Sequence, residues 1–489
     1  MAADLWINNQ WVEGEGAPFS STEPGTDALV WQGSAATATQ VDEAMQAAHA
    51  ALPGWRSRPL EERYAYLKAY QEALQKDAEG LAELLARETG KPLWEAKTEV
   101  SAMAGKIDIT WEAYQERCAE RIFDAPGGAS QVRFMPIGVM GVLGPFNLPG
   151  HLPNGHLVPA LLAGNTCILK PSELTPAVGE RMAGYFAEAA FPPGVVNVVQ
   201  GAVETGQALS EHAALDGLLF TGSYATGRAL HASFAGQPQK MLALEMGGNN
   251  PLVVHSVENL EAAVYYALLS AFITTGQRCV CARRLIVTQD ANPPALLDRL
   301  CEAASQLRFG HWRQDPEPFM GPLISTRQAQ RVKHGYERLR QQAQDEPLPL
   351  LAEDEESGLL SPAVLLMKPD APAPDEELFG PVLQVQVVDS LDDAIEAANA
   401  TAYGLSASLL SDERADFERF CQGVHAGVIN WNQQTTGASS RMPFGGVGQS
   451  GNYRPSGYYA VDYCAYPIAS MQKSRLALPE KRLPGMPSE

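Results

Sequence analysis

Apolar and polar positions alternate along this chain with two different periods. Near the start, Thr39-Gln-Val-Asp-Glu-Ala-Met-Gln-Ala-Ala-His49 places apolar residues every three to four positions, the spacing of an amphipathic helix, with Thr39 as its N-cap. The same period from about Pro59 to Arg87 predicts one longer helix. From Gly138 the texture changes to short apolar runs cut by glycine and proline: VMGVLGPFNLPG, TCILKPSE, VVNVVQG and LDGLLFTGS, separated by alanine-rich helical stretches. Strand-length runs interleaved with helices predict βαβ units around a parallel sheet. The alternation resumes after Glu245 with PLVVH, an uncharged stretch from Ala262 to Gln277 that reads as a buried helix, RRLIVT, and a helical stretch from Pro294 to Leu307. It predicts a second α/β domain. Asp345 to Glu356 and Lys368 to Glu377 combine acids with turn formers and read as surface loops.

Composition narrows the class. The 489 residues correspond to roughly three domains of about 150 residues each. A formal charge of −21 opposes phosphate backbones and anionic membrane surfaces, so neither nucleic acid nor membrane is an expected partner. An anionic substrate would need local cations. The stretch from Ala262 to Gln277 is shorter than the ~20 apolar residues of a membrane span. The opening Met1-Ala-Ala-Asp-Leu-Trp-Ile lacks the basic and apolar regions of a secretory signal, and the seven cysteines form no close-spaced framework. Both features point to the cytoplasm and free thiols. Cys279-x-Cys281 has no second pair beside it, so no zinc site or other metal is expected.

Three residues carry candidate chemistry. Cys279, in Thr-Thr-Gly-Gln-Arg-Cys, follows the uncharged helix at a glycine turn, where a thiol is presented at the edge of a core. A thiolate attacks carbonyl carbon, and neighbouring positive charge or a helix terminus lowers its pKa. A lone cysteine also serves as an inert buried hydrophobe, and this segment alone does not separate the two. Glu245 ends an apolar run ahead of Gly247-Gly248; desolvation there raises a carboxyl pKa and suits a general base, although a turn-capping glutamate gives the same pattern. Asn147 is bracketed by the prolines and glycines of Gly-Pro-Phe-Asn-Leu-Pro-Gly, which would fix its amide as a donor to an oxyanion or reflect turn chemistry alone. Leu218-Leu-Phe-Thr-Gly-Ser-Tyr-Ala-Thr-Gly reads as strand, turn and helix start, a cradle for a diphosphate. Gly446-Val-Gly-Gln-Ser-Gly451 has the letters of a dinucleotide fingerprint but no preceding strand, and reads as a loop. Lys170 and Glu173 end a short strand where both could reach ribose hydroxyls.

Taken in order, FNLPG, LKPSE, FTGSYATG, LEMGGNN, GQRC, EELFGPV and PFGGVGQSG resemble the aldehyde dehydrogenase superfamily over essentially the whole chain. The resemblance implies an NAD-dependent oxidation of a small-molecule aldehyde, with Cys279 as nucleophile, Glu245 as general base, and Asn147 with the Cys279 N–H as the oxyanion hole. Lys170 and Glu173 would hold the adenosine ribose, and Glu173 would favour NAD over NADP. Gly222, Ser223, Tyr224, Ala225, Thr226 and Gly227 would lie against the diphosphate, and Glu377 and Phe379 would position the nicotinamide riboside. Phe146 departs from the tryptophan of many members. The implied α/β fold has a Rossmann-like cofactor domain (1–120 and 138–247), a catalytic α/β domain (248–445) and a small β oligomerisation extension (121–137 and 458–475) that builds homodimers or homotetramers.

A finer resemblance, carried by Asn147–His156, Glu245–Pro251, Gly276–Arg284, Asn432–Ser440 and Asn452–Ser456, is to members whose aldehyde bears two carboxylates. It implies Arg454, Arg441, Arg284 and His151 as candidates to hold them, with Gln433, Thr435 and Ser439 as neutral partners. Arg454 stands first, because a long side chain between a glycine-rich loop and Pro455 could reach back to the site. Another carboxylated semialdehyde, an acylating enzyme that uses coenzyme A, and a non-catalytic member of the superfamily are the alternatives. The last would be expected to have lost Cys279, Glu245 or Asn147, and Glu245 favours water over coenzyme A.

Overall fold

A computed structural model describes residues 4–125, 128–352, 358–369, 374–478 and 483–486. Five strands of the first sheet are parallel, in the order Met241–Met246, Gly217–Gly222, Val139–Leu143, Thr166–Lys170 and Val196–Val198, and the hairpin of Leu5–Ile7 and Gln10–Val12 extends it antiparallel. The apolar runs of the sequence become these strands because both faces are covered, by helices such as Ala38–Arg56 on one side and His151–Ala163 on the other. Chain order reverses at Val139–Leu143. In an open parallel sheet, ligands gather at the carboxyl ends beside such a switch point. The loops leaving those ends carry Asn147, Glu173, Ser223 and Gly247.

The second sheet runs Ala343–Leu348, Ala363–Met367, Val382–Val388, Ala282–Thr288, Asn250–Val254, Ser406–Leu410 and Val428–Trp431, parallel except for its first edge strand. Only Gly247–Asn249 separate the last strand of the first sheet from Asn250–Val254. Carboxyl ends of one sheet therefore face amino ends of the other, and the segments entering the second sheet bring Cys279 and Glu377 to the same gap. A third, antiparallel sheet joins Arg121–Ala125, Gly128–Pro136 and Ala465–Gln472. Residues 126–127 of the expected extension lie outside the described residues.

Several local expectations shift. The first helix starts earlier, capped by Thr37, whose hydroxyl accepts from the Gln40 N–H while the Gln40 side chain reaches back to the cap; that reciprocal box outcompetes Thr39. The long second helix is two, Leu60–Lys76 and Ala78–Thr89, broken at Asp77, whose carboxylate accepts from Arg181 and Tyr185. The uncharged helix ends at Phe272. Part of the expected loop from Asp345 is the edge strand Ala343–Leu348, and residues 353–357 and 370–373 of the two loops lie outside the described residues. Gly446–Gly451 is a loop with one 3-10 turn. Among the described residues no helix is long and apolar enough to cross a membrane.

Candidate active site

The segment before the cysteine is bent by force. Thr274, Thr275 and Gly276 have φ of 54°, 54° and 72°, a left-handed run that β-branched residues adopt only when the surroundings over-determine it. Glycine is required at 276, since a Cβ there would lie 2.2 Å from the Gly380 carbonyl oxygen. The Thr274 hydroxyl donates to Glu95, Arg278 Nε donates to the same hydroxyl at 2.7 Å, and the Thr275 hydroxyl donates to the Gly321 carbonyl at 2.7 Å. Asn250 Nδ2 donates to the carbonyls of Cys279 (2.7 Å) and Cys281 (2.9 Å). The turn thus presents the Cys279 side chain while Cys281 is buried, its thiol turned toward the Ile273 carbonyl.

Asn147 is pinned from two directions. Its Nδ2 donates to the Gln277 carbonyl at 2.9 Å, and Lys91 Nζ donates to its backbone carbonyl at 2.7 Å. One amide hydrogen is therefore spent on the cysteine turn, and the other is free to act as a donor. Lys91 is itself paired with Glu99 at 2.6 Å, and the other oxygen of Glu99 accepts from the N–H groups of Gly150 and His151 at the start of the helix His151–Ala163.

Glu245 is 4 % exposed. One carboxyl oxygen accepts from the Ser456 N–H at 3.2 Å, and the other has no hydrogen-bond partner among the described residues. Burial, only partly offset by Ser456, pushes its pKa well above the usual carboxylate range. Glu377 is raised to about 7, again by burial, against Arg283 and the Gly248 N–H. A Cβ on Gly247 would lie 1.8 Å from a Glu377 carboxyl oxygen, so glycine there is what admits this side chain.

Cys279 and Glu245 stand on the wall shared by two cavities. The inner one, about 230 Å³, is lined among others by Thr98, Lys106, His151, Arg278, Ser439 and Ser440. The outer cleft, about 700 Å³, runs past Asn147, Glu173, Ser223, Thr226, Glu377 and Phe379. Ser223 caps the helix Tyr224–Phe234 by accepting from the Thr226 N–H, so the first turn of that helix opens onto the cleft.

A smaller pocket and a larger cleft meet at one thiol and one carboxyl, and comparison with known proteins gives the family. The sequence profile of the aldehyde dehydrogenase family matches residues 11–467. The chain belongs to this family. It is 50% identical over 485 residues to the N-succinylglutamate 5-semialdehyde dehydrogenase of Salmonella typhi, covering 99% of this chain and 98% of that one. The enzyme of the same name from Burkholderia ambifaria (strain MC40-6) is 47% identical over 483 residues, 99% of both chains. Among solved structures, 1-pyrroline-5-carboxylate dehydrogenase from Thermus with bound NAD superposes with a TM-score of 0.90 at 29% identity, covering 96% of this chain and 93% of that one.

Against this aldehyde dehydrogenase fold the sequence-predicted residues divide. Cys279, Glu245, Asn147, Glu173, Gly222, Ser223, Thr226, Glu377 and Phe379 come together at the cleft. Lys170 stands behind it, its ammonium donating to the Pro171 and Gly201 carbonyls at 2.7 Å each, 3.7 Å from Glu173. Tyr224 packs against Tyr403, and Gly227 is buried against Met246; Ala225 does not line the cleft.

Of the expected carboxylate holders only His151 lines the inner cavity. Arg284 is buried in its strand, with Nε and both Nη donating to the carbonyls of Asn249, Ala397 and Ala398. Arg441 pairs on the surface with Glu112. Arg454 is exposed on a third depression that Glu245 also lines, outside the inner cavity, and its guanidinium donates to the Tyr453 carbonyl. Ser439 reaches the cavity, whereas the Thr435 hydroxyl is buried without a partner among the described residues and Gln433 is exposed. Positive charge also fails to lower the Cys279 pKa. Burial, with Glu377 and Glu245, raises it to about 12, and Arg278 opposes weakly.

Thr98, Lys106, Arg278 and Ser440 were missed. A signal existed for Lys106: Glu95, Glu99, Met103, Lys106, Ile107 and Thr110 share the buried stripe of the helix Leu93–Arg117, and charges on an apolar stripe mark a built site.

Proposed function

We propose that this aldehyde dehydrogenase oxidises N-succinyl-L-glutamate 5-semialdehyde to N-succinyl-L-glutamate with NAD, as a step of arginine catabolism. The observation that carries the mechanism is the shared wall: Cys279 and Glu245 border both a smaller cavity suited to an aldehyde and a larger cleft suited to a dinucleotide. The relatives at 47–50% identity support the substrate.

The cleft's side chains fit NAD. Glu173 and Glu377 are acceptors for ribose hydroxyls, the helix start at Ser223 and Thr226 suits a diphosphate, and Phe379, set edge-on to Phe146, gives an aromatic floor near Cys279. Because Lys170 is committed to two carbonyls, the carboxylate of Glu173 decides at the adenosine end, favouring a 2′-hydroxyl over a 2′-phosphate.

In the reaction, the ionised Glu245 carboxylate takes the Cys279 thiol proton and passes it to solvent, Cys279 Sγ bonds to the aldehyde carbon, and the oxygen that gains charge is received by the free amide hydrogen of Asn147 and the Cys279 N–H. Glu173, Ser223, Thr226, Glu377 and Phe379 would hold NAD, which would supply the acceptor for the hydride that this carbon loses. A thioester then remains on Cys279. Glu245, ionised, takes a proton from water, the hydroxide adds to the thioester carbon, and the Cys279 thiolate leaves as the acid is released.

An aldehyde panel tests this reading. The succinylated semialdehyde is expected to give the highest kcat/KM, with NAD ahead of NADP and no dependence on coenzyme A. Higher kcat/KM with succinic semialdehyde, glutamate semialdehyde or betaine aldehyde overturns the substrate. Cys279→Ala is expected to abolish turnover and Cys281→Ala to retain it; the reverse overturns the mechanism.

A further inference from the structure

The wall of the inner cavity holds three charged groups besides the Glu245 carboxyl and the histidines, and two of them are already compensated. Glu99 is paired with Lys91 at 2.6 Å, and Arg278 with Glu95 at 2.8 Å. Lys106 is the exception. It is 2 % exposed, its Nζ donates to the Gly457 carbonyl at 2.6 Å, and among the described residues no carboxylate lies within ion-pair distance. An ammonium has three donors, so two are left for whatever enters the cavity.

A buried cation without a counter-ion is costly. In a chain of formal charge −21, an acidic side chain to neutralise it would have been easy to supply. The histidines beside it on the wall are instead kept neutral. His156 is held by the Tyr463 and Thr221 hydroxyls and burial lowers it to about 3. His151 is lowered to about 4 and leaves Nδ1 without a partner. Thr98 and Ser439 add hydroxyls to the same wall. Burial also lowers Lys106 itself to about 8, a cost that an arriving anion would remove.

We propose that Lys106 is the specificity-determining cation of this site, pairing with one carboxylate of the aldehyde substrate inside the inner cavity. The inference rests on the substrate class proposed above. It replaces Arg454, Arg441 and Arg284, which do not line that cavity, and it assigns the role to a side chain on the helix Leu93–Arg117.

The test compares wild type with Lys106→Met and Lys106→Gln. The quantity read is the ratio of kcat/KM for N-succinylglutamate semialdehyde to that for an uncharged aliphatic aldehyde. We expect this ratio to fall at least tenfold, through KM rather than kcat, and the inhibition constant of the product N-succinylglutamate to rise in parallel. A ratio unchanged in a folded variant, judged by its melting temperature and NAD binding, overturns the role of Lys106. A wild-type enzyme that does not prefer the succinylated aldehyde overturns the substrate reading instead, so the two failures are distinct. Should the variants not fold, a crystal structure of the native enzyme with N-succinylglutamate decides. A carboxylate oxygen within hydrogen-bond distance of Lys106 Nζ supports the proposal, and both carboxylates held elsewhere overturn it.

Discussion

Cys279 rests as a thiol at neutral pH. Burial, Glu377 and Glu245 together raise it to about 12, and Arg278 opposes them weakly because its guanidinium is committed to Glu95. Glu377, with a pKa of about 7, is mostly ionised in mildly alkaline solution, where its negative charge disfavours the thiolate. Removing that charge lowers the thiol pKa, so Glu377→Gln is expected to speed alkylation of Cys279 by iodoacetamide severalfold at about pH 8. A slower or unchanged rate would refute the electrostatic account. Glu245 works in the opposite sense. Its pKa is raised by burial, so at low pH it carries the proton it must lose before it can act as a base, and steady-state turnover is expected to climb as pH passes upward through that pKa. Glu245→Gln should flatten this limb and lower turnover by about 10²–10⁴-fold; a pH profile like that of wild type would remove Glu245 from the role.

One element, the helix Leu93–Arg117, organises much of the site. Glu95 fixes Thr274 and Arg278 on the cysteine turn, Glu99 holds Lys91 behind Asn147 and caps the helix His151–Ala163, and Lys106 enters the cavity. The Lys91–Glu99 pair is almost wholly inaccessible, with side chains 1% and 0% exposed, so Glu99→Ala strands a buried ammonium and two N–H groups. Denaturant titration is expected to show a loss of about 3–5 kcal/mol, against less than about 1 kcal/mol for Glu62→Ala, whose partner Arg58 is on the surface. Equal losses would mean that burial does not set the difference. Local signals explain what was legible in the sequence. The parallel strands announced themselves as apolar runs, and Cys279, Glu245 and Asn147 sit at turns marked by glycine or proline. The left-handed Thr274-Thr275 pair was hidden, because β-branched residues carry no preference for that conformation and are held in it by distant partners, Thr274 by Glu95, 179 residues away, and Thr275 by the Gly321 carbonyl. Arg284 misled for a related reason: a cation in a strand reads as solvated, yet this one is satisfied by three backbone carbonyls distant in sequence.

At the scale of the whole molecule, the site sits where two seven-stranded sheets meet end to end, while the third sheet carries no part of the chemistry described. That small sheet has two edges, Arg121–Ala125 and Ala465–Gln472, and keeps large apolar groups in water: Ile122 is 69 % exposed, Phe123 53 % and Tyr466 64 %. Open edges and clustered apolar side chains mark an interaction surface in a chain that otherwise carries a high net charge. A second copy of this chain is the expected occupant, since pairing at the edges and burial of these side chains would satisfy both features at once. Ile122 and Tyr466 stand on the two edge strands, opposite Gln131 and Met135 of the central one, so charging both should weaken the contact without touching either seven-stranded sheet. Wild type is expected to sediment at micromolar concentration as a dimer or a larger even assembly. The double substitution Ile122→Asp and Tyr466→Asp should shift it to single chains while Cys279 still reacts with iodoacetamide at the wild-type rate. A monomeric wild type, or a double variant with an unchanged assembly state, would show that the third sheet is not the contact between copies.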